Sequence, residues 1–131
     1  MYDLKEALKE QIKYCHELER YRCGAYITDS KKKDFIIYIL KELLKQDDRV
    51  DKVINGQYDT MVYFKNGSFI KIIRACKNAR RHKNNGAIID NEIEREILNC
   101  IILPTLIPRW SDKHTFESWE EVKKRIFYCD I

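Results

Sequence analysis

The sequence lacks the glycine-rich motif with which many proteins hold nucleotide phosphates. That motif, G-x-x-x-x-G-K-S/T, works because closely spaced glycines let backbone N–H groups surround the phosphates while the lysine neutralises them. The chain has four glycines in 131 residues, and no pair of them is followed by Lys-Ser or Lys-Thr at this spacing. We therefore predict that the chain does not hydrolyse ATP by itself.

Proline is also scarce, since the chain contains only two prolines beside its four glycines. This scarcity excludes collagen-like and low-complexity chains and favours regular secondary structure. Apolar residues make up 44% of the chain and charged residues 35%, a balance that is sufficient for one hydrophobic core at this length. We predict a single domain over residues 1–131.

Paired cysteines and long apolar runs are missing as well. The five cysteines are odd in number and form no C-x-x-C pair, which is typical of free thiols packed as small hydrophobes in a reducing compartment. No run of about 18 apolar residues occurs, and the charged start Met1–Glu6 carries no apolar signal segment. The sequence thus predicts neither a membrane span nor secretion, and we expect a cytoplasmic protein.

Apolar spacing and turn residues divide the chain into helices and strands. Apolar residues at three- and four-residue steps indicate helices, short apolar runs indicate strands, and Asn66-Gly67 between two β-rich runs indicates a hairpin. The predicted helices are Asp3–Arg22 with Gly24 after its end, Lys31–Gln46, Asn91–Leu103 before Pro104, and a last helix from Ser118 that carries Ile126 and Phe127. The predicted strands are Ala25–Ile27, Thr60–Phe64, Phe69–Ile73 and Ala87–Asp90, with polar loops at Asp47–Gln57 and Lys77–Gly86. This order predicts an α/β or α+β fold in which Ala25–Ile27 and Ala87–Asp90 are parallel inner strands.

Three short segments carry a resemblance to a known family. They are the hairpin Phe64-Lys65-Asn66-Gly67-Ser68-Phe69-Ile70, the loop Asn78-Ala79-Arg80, and the strand Gly86-Ala87-Ile88-Ile89-Asp90 followed by Asn91-Glu92. In this order they resemble the ATPase domain of phage terminase large subunits, from about Tyr26 to Leu106. The resemblance implies a small mixed sheet with a β-hairpin, flanked by helices, as a truncated P-loop-ATPase-like fold that starts after the phosphate-loop strand.

The same resemblance places Asp90 at the end of the Walker B strand, where a carboxylate can hold Mg²⁺ through water. The alternative interpretation is purely structural: Asp90 is the N-cap of a helix that begins at Asn91, and the missing phosphate loop favours this role. Asn91 stands where the family has a second carboxylate, and an amide cannot act as a general base. We therefore predict no catalytic residue, and no cofactor other than this weakly indicated Mg²⁺.

Two runs of basic residues have no acidic residue among them, although solvated loops usually mix charges. The first is Arg74, Lys77, Arg80, Arg81 and Lys83, and the second is Lys31, Lys32 and Lys33 in the first turn of a helix. Cations at a helix N-terminus oppose the helix dipole, so folding alone does not favour them there. Both runs indicate an anionic partner, which is either nucleic acid or an acidic protein surface.

These features lead to one hypothesis and two alternatives. We expect a non-catalytic binding protein of phage or prophage origin with a degenerate terminase-like fold, acting in the cytoplasm of a bacterial host cell. Its partner would be nucleic acid, a phage packaging protein or a host protein, including a component of a bacterial defence system that it inhibits. The alternatives are an accessory ATPase or terminase component that uses a phosphate loop from another chain, and a structural module that forms homo-oligomers.

Overall fold

A six-stranded mixed sheet forms the centre of the fold. The structure is a computed structural model that describes residues 1–56, 59–110 and 113–131. The strand order is β2-β3-β4-β1-β5-β6. The strands are β1 (Arg22–Ile27), β2 (Val50–Asn55), β3 (Thr60–Phe64), β4 (Phe69–Arg74), β5 (Gly86–Asp90) and β6 (Ile126–Cys129). Strand β1 runs parallel to both β4 and β5, β5 runs parallel to β6, and β2 to β4 form an antiparallel meander. The predicted α/β class, the hairpin and the parallel pairing of the two inner strands are confirmed.

Helices pack on both faces of the sheet. They are α1 (Leu4–Glu17), α2 (Ser30–Leu43), a 3₁₀ helix (Lys77–Arg81), the helical segment formed by α3 (Arg95–Ile97) with a π turn (Leu98–Ile102) and a 3₁₀ turn (Leu103–Thr105), and α4 (Trp119–Lys123). The N-caps follow the sequence signals: Asp3 accepts a hydrogen bond from the Glu6 backbone, Asp29 from Lys31 and Lys32, and Ser118 from Glu121. No helix in the described part of the chain is long and apolar enough to cross a membrane.

The two faces of the sheet are covered unequally. On the first face, α1 and α2 bury alternate strand residues such as Val62, Ile70 and Ile88. On the second face, the helical segment and α4 cover β1 and β5, with Tyr26 and Ile89 in this second core. Among the described residues, β2 and β3 contribute nothing to the second core. In the described ranges, no helix therefore packs on that half of the second face to extend the second core.

Several predicted boundaries are wrong, each because tertiary pairing overrides local propensity. Helix α1 ends at Glu17 rather than Arg22, and Gly24 lies inside β1, where a Cβ would come within 2.6 Å of the Asn84 side chain. The predicted polar loop Asp47–Gln57 contains β2, while its last residue, Gln57, lies outside the described residues.

Two helix predictions near the C-terminus also need correction. The helix expected over Asn91–Leu103 starts only at Arg95, because the backbone first forms a turn closed by the Asp90 side chain. The last helix ends at Lys123, and Ile126 and Phe127 belong to β6 instead. This strand is extended because β5 offers it a free parallel edge, with Ile88 opposite Phe127.

Candidate functional site

The carboxyl ends of β1 and β5 meet at the crevice where open α/β sheets commonly bind ligands. Strand β1 continues into α2 on the first face, whereas β5 continues into the helical segment on the second face. Because the two connections leave on opposite faces, the strand ends are not covered from above and a crevice opens between them. Asp90, at the end of β5, lies in this crevice.

An internal ion pair closes the crevice. The Nζ atom of Lys32 lies 2.7 Å from Oδ2 of Asp90 and 2.8 Å from Oε2 of Glu92. The same Oδ2 accepts hydrogen bonds from the backbone and the hydroxyl of Thr28, at 3.2 and 3.0 Å, and Oδ1 accepts one from the Glu92 backbone at 3.1 Å. Burial raises the pKa of Asp90, but these hydrogen bonds outweigh it and hold the pKa below its usual value. Asp90 is therefore an ionised, fully hydrogen-bonded carboxylate.

This arrangement does not fit a magnesium site as it stands. The Lys32 ammonium lies where a cation bound by Asp90 would have to sit, and a divalent ion prefers several oxygen ligands. In the described ranges, no group of three or more His, Cys, Asp or Glu residues is placed to hold a metal ion. Asp90 also caps only a local turn and not a helix beginning at Asn91, because the helical segment starts at Arg95.

The three lysines of the α2 N-terminus have different surroundings. Lys32 is committed to the ion pair with Asp90 and Glu92. Lys31 is exposed, and Lys33 lines a cavity of about 180 Å³ together with Arg74 at the end of β4. Lys33 and Arg74 are thus brought together, as expected for two parallel strands whose carboxyl ends share one edge of the sheet.

The basic loop after β4 crosses the second face of the sheet. Its 3₁₀ helix is anchored by Ala79, which is buried in the second core, while Lys77 and Arg80 are exposed. The chain then turns toward the start of β5, so that Arg81 and Lys83 line a cavity of about 330 Å³ over β3 and β4. The predicted basic run is therefore divided between the carboxyl edge of the sheet and its uncovered face.

The uncovered half of the second face, which we call the open sheet face, carries the side chains of Arg22, Lys52, Met61, Tyr63, Phe69 and Lys71. The rings of Tyr63 and Phe69 meet edge to face with centroids 6.0 Å apart, and Lys52 Nζ lies 5.0 Å from the Tyr63 centroid. Lys71 Nζ is 3.6 Å from the Asp59 carboxylate. Two half-buried aromatic rings are thus surrounded by positive charge.

The pKa of His82 reflects first its burial and then the charges around this cavity. The side chain lines the same cavity as Arg81 and Lys83. Burial lowers the pKa of His82, and the charges of Lys71 and Arg81 lower it further, against a smaller opposite effect of Asp59. The imidazole is therefore neutral at neutral pH, and the positive charge of this region comes from lysine and arginine.

Sequence reasoning missed the residues of the open sheet face. The signal that could have found them is the alternation in β3 and β4, where Val62 and Ile70 point to the first core. Tyr63 and Lys71 must then point to the opposite face. The same alternation does not identify Arg22 or Lys52, because Arg22 lies in a predicted helix and Lys52 lies in a predicted loop.

Comparison of the chain with protein-family models, curated proteins and solved structures finds no match. The fold defines the class of the protein as a mixed α/β sheet with helices on both faces. The terminase-like ancestry and the P-loop-like truncation stay predictions from the sequence.

Proposed function

We propose that the protein binds single-stranded nucleic acid on its open sheet face and catalyses no reaction. The observation that carries this proposal is the combination of Tyr63 and Phe69 with the cations around them, on the half of the second face that, among the described residues, lies outside the second core. Lysine and arginine bind backbone phosphates irrespective of sequence, and aromatic side chains stack on bases.

The proposal specifies a single strand because of where the aromatic rings lie. Tyr63 and Phe69 project from the sheet itself and are half-buried, so they form the floor of the groove and not its rim. A duplex keeps its bases stacked inside and presents phosphates outward, so it cannot place a base on such a floor. An unpaired strand can splay its bases onto aromatic rings carried by a sheet.

The biological setting is part of the proposal and rests on the sequence resemblance. A phage or prophage protein acting in the cytoplasm of a bacterial host would meet single strands during replication, packaging or defence against the phage. Binding such strands would let it inhibit a host defence system that uses them. The alternative role with a phosphate loop from another chain would require that chain to displace Lys32 from Asp90.

Fluorescence anisotropy with single-stranded and double-stranded DNA, measured at several salt concentrations, tests the proposal. We expect wild type to prefer the single strand, and the triple variant Arg80→Gln, Arg81→Gln, Lys83→Gln to bind more weakly. Arg81 and Lys83 line the cavity over β3 and β4, and Arg80 precedes them on the same loop, so losing all three cations should flatten the salt dependence of a single-strand complex by a slope of at most about 2. Stability should change by no more than about 0.5 kcal/mol, because these side chains are exposed.

A matched control separates this surface from the overall charge of the protein. The variant Lys13→Gln, Lys41→Gln, Lys45→Gln removes the same charge from exposed positions on and after α1 and α2, on the other face of the sheet. It should bind like wild type apart from the small effect of net charge. An equal loss of affinity in both triple variants, or no binding by wild type at low salt, would contradict the proposal.

A further inference from the structure

A larger cavity, of about 560 Å³, lies next to the open sheet face. Arg22 lines both this cavity and the one over β3 and β4, so the two are neighbours at the start of β1. The remaining wall comes from Arg20 before β1 and from Arg109, Trp110, His114 and Phe116 between the helical segment and α4. Apart from Arg22, the proposed binding on the open sheet face uses none of these residues.

The charge of the cavity is predominantly positive. Arg20 and Arg22 form no ion pair with any described residue, and Glu19 is the acidic side chain among the lining residues. Arg109 is held in place, since its Nη2 donates to the Glu19 carbonyl at 3.0 Å and its backbone N–H donates to Glu117 Oε1 at 2.9 Å; its Nη1 lies 4.0 Å from Glu117 Oε2, so part of its charge is balanced within the protein. The cavity therefore presents guanidinium groups that can receive an anion, which for arginine is commonly a phosphate.

The aromatic wall of the cavity is largely exposed to solvent. Trp110 has 54% of its surface exposed and Phe116 has 68%, although both are large apolar side chains that folding alone would bury. Their rings meet edge to face with centroids 5.0 Å apart, and the two residues are joined by an isolated antiparallel bridge. This contact holds the indole of Trp110 at the cavity while leaving much of its surface without a partner.

The backbone around the cavity adopts an unfavourable conformation at two positions. In the described part of the chain, the non-glycine residues with positive φ are Arg20, at 56°, and His114, at 59°, and both line this cavity. Such conformations persist only where surrounding contacts impose them, and they concentrate at binding sites. Arg20 is fixed in this way by its N–H, which donates to the Asn66 carbonyl at 3.3 Å.

We propose that this cavity receives one unstacked nucleobase, with its phosphate, from the single strand that lies on the open sheet face. The inference rests on the proposed function and adds a specific subsite to it. Trp110 would stack on the base, while Arg20, Arg22 and Arg109 would bind the phosphate. The volume lies within the range of about 300–1,000 Å³ that small-ligand pockets occupy.

The fluorescence of Trp110 provides a direct readout of occupancy. The chain has two tryptophans, and Trp119 begins α4 without lining the cavity, so Trp119→Phe leaves Trp110 as the single reporter. Titration with an oligothymidylate of about ten nucleotides, a length within the usual single-strand site sizes, should quench this fluorescence. Thymidine monophosphate at the same nucleotide concentration should not, because it lacks the contacts on the open sheet face. Quenching by the free nucleotide alone would overturn the inference, since the cavity would then be a small-molecule site.

Substitutions test the subsite without depending on fluorescence. Trp110→Ala should weaken anisotropy-measured binding of the oligothymidylate by about 5- to 100-fold, as expected for one lost base stack, whereas Trp110→Phe should retain most of the affinity. Arg20→Gln should weaken binding and flatten the salt dependence by a slope of about 0.7. Trp119→Ala and Arg95→Gln change the same residue types at exposed positions outside the cavity and should bind like wild type.

The outcomes distinguish this inference from the proposed function. One outcome would contradict the subsite alone: the oligothymidylate binds wild type without quenching Trp110, and Trp110→Ala and Arg20→Gln bind it as tightly as wild type. If the triple variant of the basic loop still binds more weakly in that case, the proposed binding on the open sheet face is retained. If wild type binds neither the oligothymidylate nor an oligouridylate of the same length at low salt, both proposals are contradicted.

Discussion

At the residue scale, Lys32 shows that a run of three basic residues can contain one cation that stabilises the fold and two that remain free to bind a partner. Its neighbours Lys31 and Lys33 form no ion pair with any described residue, whereas Lys32 donates to both Asp90 and Glu92. The side chain of Asp90 is completely buried, so its charge must be balanced within the protein. Lys32 supplies that balance and ties the start of α2 to the end of β5.

Removing this cation should make the protein sensitive to acid. The folded pKa of Asp90 lies below its unfolded value of about 3.9, so the carboxylate stabilises the fold above that pH and the contribution is lost as the pH falls through the folded pKa. Lys32→Met removes one of the donors that hold the pKa down. We expect a loss of about 1–3 kcal/mol near neutral pH and an acid-unfolding midpoint at higher pH, followed by circular dichroism.

Lys31→Met is the matched control for this variant, because Lys31 occupies the same turn of α2 but is exposed. Its stability should stay within about 0.5 kcal/mol of wild type, with the acid midpoint unchanged. Equal behaviour of the two variants would show that the Lys32–Asp90 pair contributes nothing to folding.

Arg125 is a second buried charge that the sequence did not reveal. It is 3% exposed, and its guanidinium donates to both carboxylate oxygens of Glu117, at 2.9 and 2.6 Å, and to the Asn85 carbonyl at 3.2 Å. Its guanidinium also lies 5.3 Å from the centroid of the Tyr21 ring. Sequence patterns cannot identify such a residue, because its partners are distant along the chain except for Glu117.

At the scale of elements, β5 is a fully buried strand that is paired on both sides. It pairs with β1 on one side and β6 on the other, and all five of its residues are buried. Ile88→Asp would place a charge without a partner in the first core, where the side chain of Ile88 has no exposed surface. We expect a cost of several kcal/mol, which is comparable to the total stability of a small domain, and loss of the cooperative thermal transition.

The control for this substitution is Val53→Asp in β2. This substitution also replaces an apolar side chain by a carboxylate, but Val53 lies in an edge strand and has 40% of its surface exposed. The protein should keep a cooperative transition close to that of wild type. A folded Ile88→Asp variant with an unchanged melting temperature would mean that β5 is not a buried central strand.

The elements predicted correctly are those whose local signals agree with their tertiary environment. The hairpin around Asn66-Gly67 and the apolar strand Ala87–Asp90 are examples, since the turn requires Gly67 at φ 88° and β5 is buried on both faces. Strand β2 was missed because the apolar residues of Val50–Asn55 do not alternate regularly with its polar ones, and the segment becomes a strand by pairing with β3. Strand β6 was missed because four residues are too few to outweigh the helix signal before them.

The candidate site divides in the same way. A run of cations without acids is visible in the sequence, so Arg81 and Lys83 could be predicted as binding residues. The aromatic floor could not, because Tyr63 and Phe69 come together only through the register of β3 with β4. Which cations are free also depends on tertiary structure, as the burial of Lys32 against Asp90 shows.

At the scale of the whole molecule, the net charge of +4 is less informative than its distribution. The open sheet face and the neighbouring cavity are lined by Arg20, Arg22, Arg81 and Lys83, which form no ion pair with any described residue, and by the acidic residues Glu19 and Asp59. A concave surface on which cations outnumber anions concentrates negatively charged ligands and accelerates their association. The distribution therefore gives the molecule one side suited to a polyanion and another side formed by α1 and α2.

The same view of the whole molecule predicts that the 131-residue chain has no ATP turnover. The sheet has the crevice at which related architectures bind ligands, but Lys32 occupies it and no glycine-rich loop is present to hold phosphates. Asn91 follows Asp90 and cannot act as a general base for an attacking water. Phosphate release from ATP with excess Mg²⁺ should equal that of buffer alone for wild type, and also for Asn91→Glu, because one restored carboxylate supplies neither a phosphate site nor a free metal position. Asp90→Asn is the decisive control. If wild type turns over ATP and this variant does not, the crevice opens and Asp90 binds a metal. If both turn over ATP equally, the activity comes from a contaminating enzyme.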